Sequence, residues 1–128
     1  MDELAHFFGE DETPKNLAIK GIVLTGAGEK AFVAGADIKE FLGMDAEAGS
    51  RLSRRGNDIM FLIERFPIHV ISAVNGFALG GRCRLALACH IRIAGEKARL
   101  GKPDVILGIS YGSGGTQRLL QNVAKGKT

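Results

Sequence analysis

The stretch HVISAVNGFALGGRCRLALACH, His69 to His90, constrains the fold more than any other part of the chain. HVISAV is dominated by apolar and β-branched residues, the composition of a strand. NGFALGG carries the turn residues and the glycine pair that break it. RCRLALAC then reads as an apolar helical run. A strand that passes through a glycine corner into a helix commits the chain to an α/β architecture, in which a helix carries the backbone across to the next parallel strand.

The rest of the chain repeats that alternation. Leu4, Phe7 and Phe8 form an i, i+3, i+4 stripe suited to a short amphipathic helix. Ile22, Val23 and Leu24 make an unbroken apolar run ending at Gly26, the pattern of a strand buried on both faces. Phe32 and Val33 belong to a brief extended piece before Gly35. From Asp45 to Phe66 the pattern is helical, with Leu52, Ile59, Ile63 and Phe66 apolar, and Pro67 stops it. Arg51, Arg54 and Arg55 share one face of that helix; a basic face of this kind is ordinarily solvated, with contact to a phosphate group as the alternative. HIRIAGEKARLG is a second extended region, and after KPDVILG the glycine-rich ISYGSGG leads to a last helix opened by Thr116, Gln117 and Arg118.

Composition narrows the function. A chain of 128 residues, 45% hydrophobic and 24% charged, holds one domain and a moderate core. A net charge of +3, no tryptophan and one tyrosine give neither the field nor the stacking platform that nucleic acid needs. Cys83 and Cys89 have neither metal-pair nor disulfide spacing and read as buried thiols in a reducing compartment. His6, His69 and His90 lack carboxylate or cysteine partners at ligand spacing, so they read as structural or surface residues and no metal is expected. The acidic MDELAHFFGEDE is unlike a signal peptide and no apolar run approaches a bilayer span, so the expected location is cytoplasmic, without a membrane partner. Nucleotide-binding glycine motifs and a serine elbow of the G-x-S-x-G type are absent.

Two glycine corners carry chemistry. ALGG, leading into the helix, presents backbone N–H groups that have no acceptor within the helix, at its electropositive end. AGADI, Ala34 to Ile38, is a second corner after an extended segment. Converging on one carbonyl oxygen, the two would form an oxyanion hole for an enolate or a tetrahedral intermediate. Either corner alone is explained by the needs of the backbone.

The order LTGAGEKAFVAGADIKEF, FPIHVISAVNGFALGGRCRLALACHIRIA and KPDVILGISYGSGGTQRL resembles the enoyl-CoA hydratase/isomerase, or crotonase, family. The resemblance runs from about Leu4 to Lys127 and covers about half of a family domain. It implies a crotonase-like (ClpP/crotonase) ββα spiral, truncated at both ends, as a single partial domain over residues 1–128. It implies a coenzyme A thioester as substrate, no permanently bound cofactor, and a homo-oligomer of the family's trimer or hexamer kind. By position, the oxyanion-hole N–H groups are those of Ala36 and Gly81. Ala34, Gly35, Asp37, Ile38, Lys39 and Gly80 fall in the family's substrate and CoA contacts.

The match breaks where the family places its two glutamates. Arg84 occupies the first position and Asp104 the second, while Arg82 replaces a third glycine. A guanidinium has five donors and no accepting lone pair, so Arg84 cannot activate water as a base. Asp104 keeps acid–base chemistry but is one methylene shorter than glutamate. Ser110 and Tyr111 stand where the family shows an aliphatic–proline pair. Several roles follow for Arg84: an ion pair with Asp104 across the former site, a fork for a carboxylate on the acyl group, or, with Arg82, a solvated head on an exposed helix start. Three readings of the chain stay open. It is a hydratase or isomerase of the family, the latter by Asp104 alone; a non-catalytic acyl-CoA binder; or an assembly subunit that folds with partners.

Overall fold

A computed structural model of the chain describes residues 2–9, 19–33, 43 and 45–101. Three helices and five strands appear among them: α1 (Asp2–Phe8), β1 (Gly21–Thr25), α2 (Ala46–Glu64), β2 (His69–Val74), β3 (Phe77–Leu79), α3 (Gly81–Ala88), β4 (Ile91–Ala94) and β5 (Arg99–Gly101). The strands form two sheets, one ordered β1-β2-β4 and one pairing β3 with β5. Every pairing is parallel, as the strand–helix alternation predicts.

α2 begins where its sequence provides a cap. The Asp45 carboxylate accepts the Ala48 N–H at 2.7 Å, satisfying one of the amides that a helix start leaves without an internal acceptor. Ile59, Met60 and Ile63 recur at helical spacing and are buried. They meet Phe8, Phe66, Val70, Val74, Leu85 and Ala86 in one core. Phe8 stands edge-on to Phe66 with ring centroids 4.9 Å apart, so α1 is fastened beside the end of α2. Arg51, Arg54 and Arg55 lie exposed on the opposite face, where Arg51 meets Glu47 at 3.8 Å in a solvated pair; this is the ordinary outcome for such a face.

β2 is the middle strand, and its alternate residues Val70, Ser72 and Val74 are buried. Its other face departs from expectation. Val23, Ile71 and Ile91 lie in one cross-strand row and Thr25, Ala73 and Ile93 in the next, yet Val23 is 61% and Ile93 59% exposed. β1 is therefore covered on one face rather than two. An unbroken apolar run records what a strand tolerates, while the element that covers it is supplied from elsewhere in the fold.

A second difference concerns Phe77, Ala78 and Leu79, which the sequence places within a turn. They form β3, with Phe77 opposite Arg99 and Leu79 opposite Gly101. On its other side, Phe77 bridges Ala31 in parallel. Phe32 N–H donates to the Phe77 carbonyl and Phe77 N–H to the Lys30 carbonyl, each at 3.1 Å. The chain entering residue 34 and the chain entering α3 thus run side by side.

Candidate active site

The glycine turn that follows β1, ahead of the AGADI segment in the sequence, is tied down by Asn75. Its Oδ1 accepts the Gly26 N–H at 3.1 Å, and its Nδ2 donates to the Gly26 carbonyl at 3.2 Å and to the Gly28 carbonyl. One side chain thereby ties the end of β1 to the end of β2. Gly26 has no room for a side chain: a Cβ there would lie 2.1 Å from the Ala31 carbonyl oxygen. This knot holds the Lys30–Phe32 segment beside β3. The site residues chosen from sequence omit Asn75, although the Asn-Gly dipeptide after a strand marks a specified turn.

Gly80 forms the ALGG corner, at φ 59° and ψ −120°. A side chain is strained in that conformation, so the glycine is a backbone requirement. The Gly80 N–H donates to the Gly101 carbonyl at 3.0 Å, fixing the corner to β5. α3 starts at Gly81 without a side-chain cap and without an acidic residue in its first turn. Its opening amides have no acceptors within the helix and sit at its positive end. Gly81 itself is exposed, so a ligand oxygen has access to its backbone.

The two arginines at this helix start behave differently. Arg84 N–H makes the first helical bond, to the Gly80 carbonyl at 3.2 Å. Its half-buried side chain folds back over the first turn. A Cβ placed on Gly81 would meet the Arg84 Nη2 at 3.3 Å and its Cζ at 4.0 Å. Arg82 instead lines an open groove of about 600 Å³ together with Lys30, Ala31, Gly76, Phe77 and Leu79. The structure thus describes Gly80, Gly81 and Arg84 at one place. Ala34, Gly35, Ala36, Asp37, Ile38, Lys39 and Asp104 lie outside the described residues, as do Ser110, Tyr111 and Thr116–Arg118.

Among the described residues, the two cysteines and His90 serve the scaffold. Cys83 and Cys89 are free and buried. Burial pushes the Cys89 thiol up to about 11, only partly opposed by its hydrogen bond with Ser72 and by the Arg92 charge. His90 accepts the Val70 N–H at Nδ1, 2.9 Å away, so its Nε2 carries the proton and donates to the Glu64 carbonyl at 2.9 Å. Among the described residues no three His, Cys, Asp or Glu side chains group as metal ligands, and no helix is long and apolar enough to cross a membrane.

A parallel sheet, a glycine corner and an uncapped helix entry follow one another in this chain. The Enoyl-CoA hydratase/isomerase family model matches residues 1–128. The chain belongs to that family. Among its enoyl-CoA hydratase/isomerase relatives, the short-chain-enoyl-CoA hydratase of Clostridium acetobutylicum is 47% identical over 126 residues, which is 98% of this chain and 48% of that protein. The crotonyl-CoA hydratase of Syntrophomonas wolfei is 47% identical over 109 residues, 85% of this chain and 42% of the relative. The crystal structure of enoyl-CoA hydratase from Bacillus anthracis superimposes with a TM-score of 0.89 at 42% identity, covering 98% of this chain and 48% of that one. Pseudomonas aeruginosa DspI gives a TM-score of 0.88 at 35% identity, covering 97% and 47%. The fold is crotonase-like, and the chain spans about half the length of the curated relatives it matches.

Proposed function

We propose that the chain binds acyl-CoA thioesters and holds the thioester oxygen between two backbone N–H groups, those of Ala36 and Gly81. The observation that carries this reading is the entry to α3: a glycine at positive φ, no side-chain cap, and an exposed Gly81 beside the strand that pairs with the segment leading to residue 34. A negative charge developing on the oxygen would meet fixed amide dipoles and the positive end of a helix, with little reorganisation needed. Ala34, Gly35, Asp37, Ile38, Lys39 and Gly80 would line the thioester and CoA. No permanently bound cofactor is required, and the cell compartment is the cytoplasm.

The proposed chemistry excludes the two-carboxylate addition of water, because Arg84 stands where one carboxylate is needed and a guanidinium accepts no proton. Asp104 alone supports a second reading, the shift of a double bond by moving one proton across the enolate. Titration calorimetry with acetoacetyl-CoA, an enolate mimic, tests the binding reading. Saturable heat that disappears in the presence of excess free acyl-CoA supports it, and absence of heat overturns it. Turnover of a 3-enoyl-CoA above that of Asp104→Asn supports the isomerase reading; equal rates remove it. Association of copies is proposed on the exposed apolar rows of the β1-β2-β4 sheet, since an uncovered face of that kind favours contact.

A further inference from the structure

We infer that Asn75 is a modification site, and that hydrolysis of its side-chain amide acts as a one-way release of β1 from β2. The inference concerns the scaffold and holds whatever ligand the chain takes. Asn75 is followed by Gly76, and a glycine has no Cβ to shield its own backbone nitrogen. That nitrogen gives up its proton to base and forms a bond to Asn75 Cγ. The Cγ–Nδ2 bond breaks, and Nδ2 takes up a proton and leaves as ammonia, closing a cyclic imide. Water then opens the imide at either carbonyl. Attack at Cγ yields aspartate, and attack at the backbone carbonyl yields isoaspartate, in which the chain runs on through Cβ and Cγ. The net change is one water consumed and one ammonia released, without any change of oxidation state.

The fold gates this step. Asn75 Oδ1 accepts the Gly26 N–H at 3.1 Å, while Nδ2 donates to the Gly26 carbonyl at 3.2 Å and to the Gly28 carbonyl. Three bonds fix the plane of the amide, so ring closure needs the end of β1 to let go first. Gly76 is itself buried, and a Cβ there would come 2.6 Å from the Lys30 carbonyl oxygen, so the backbone has no slack in which to close a ring. Water is at hand, because Asn75 lines an open groove of about 360 Å³ with Gly28, Glu29, Glu96 and Lys97. The shielding is therefore geometric and does not depend on keeping solvent out.

The product no longer fits the tie. A carboxylate has no N–H to give, so the Gly26 and Gly28 carbonyls lose their donor and face an acceptor. The new charge joins Glu29 and Glu96 around the groove, where Lys97 is the only cation among the described lining residues and already lies 3.5 Å from Glu29. Isoaspartate also adds a methylene to the backbone between β2 and β3, beside the crowded Gly76. Opening permits the modification, and the modification then opposes closing.

The test incubates the full chain at mildly alkaline pH in native buffer and in denaturing urea, following deamidation at Asn75 by peptide mass spectrometry. The native chain is expected to react at least ~10-fold more slowly than the unfolded one, because the reaction waits on local opening. Urea below the unfolding transition is expected to raise the native rate before the core melts. Equal rates in native buffer and in denaturing urea overturn the inference, as does an Asn75 that stays intact in both. The deamidated chain, separated by its added negative charge, is then compared with the unmodified chain by amide hydrogen exchange. Faster exchange in β1 is expected, with the amides joining β2 to β4 less affected. Unchanged exchange in β1 overturns the release. Asn75→Asp supplies the aspartate product in homogeneous form and is expected to show the same loosening. Where that variant does not fold, the deamidated wild-type chain decides.

Discussion

Cys89 shows how a single buried group links this fold to pH. Its thiol is surrounded by α3 and β2, bonds the Leu85 carbonyl at 3.4 Å, and is pushed from an ordinary 9.0 to about 11, chiefly by burial. A folded value above the unfolded one means that the folded state holds the proton more tightly. The contribution to stability is complete below pH 9 and is lost progressively as pH rises from about 9 to 11. At the alkaline end it amounts to roughly 3 kcal/mol, taking about 1.4 kcal/mol for each pH unit. Chemical denaturation across pH 8 to 11 is expected to show this fall, and Cys89→Ala is expected to flatten it. A thiol reagent at pH 8 is expected to leave Cys89 unmodified until the chain unfolds.

At the scale of elements, His90 joins three of them. Its own N–H donates to the Val70 carbonyl at 2.9 Å, its Nδ1 receives the Val70 N–H, and its Nε2 reaches the Glu64 carbonyl at the end of α2. The ring completes the hydrogen bonding of β2 just before β4 begins. His90→Ala leaves the Val70 amide and the Glu64 carbonyl without this partner and is expected to cost about 1–3 kcal/mol, measured as a lowered denaturation midpoint at unchanged slope. By elimination the sequence leaves His90 as a structural or surface residue, and the bonding decides for the structural one. β2 was legible because apolar and β-branched residues fill it and Pro67 and Asn75-Gly76 bound it. β3 was not, because three residues between turn signals become a strand only through partners at Lys30–Phe32 and Arg99–Gly101. The site divides in the same way. Gly80 and Gly81 could be selected by position in a strand–glycine–helix pattern. The return of the Arg84 head over Gly81 is a rotamer choice within α3, and spacing alone carries no trace of it.

For the whole molecule, the unusual feature is a sheet face of Val23, Ile71, Ala73, Ile91 and Ile93 without a charged residue in its central rows. The chain spans 48% of the Clostridium relative, and much of that face stays in contact with water, with Ile91 45% exposed. The double variant Val23→Thr, Ile93→Thr is expected to keep the fold, bind less of an apolar dye such as ANS and stay in solution at higher protein concentration. Unchanged dye binding would show that the probe reads a different surface. The two substitutions sit on the face away from the core, so the melting temperature is expected to move little.

The parallel order β1-β2-β4 also sets a sequence of events. β2 finds β4 across about 20 positions, as Val70 and His90 do, whereas β1 must reach β2 across about 48, as Thr25 and Ala73 do. Closing the longer span costs about 0.8 kcal/mol more in chain entropy. The shorter span encloses Val70 to Val74 of β2, Gly80 and all of α3, so a nascent chain can shape the entry to α3 before β1 docks, and β1 arrives as the latch that closes the sheet.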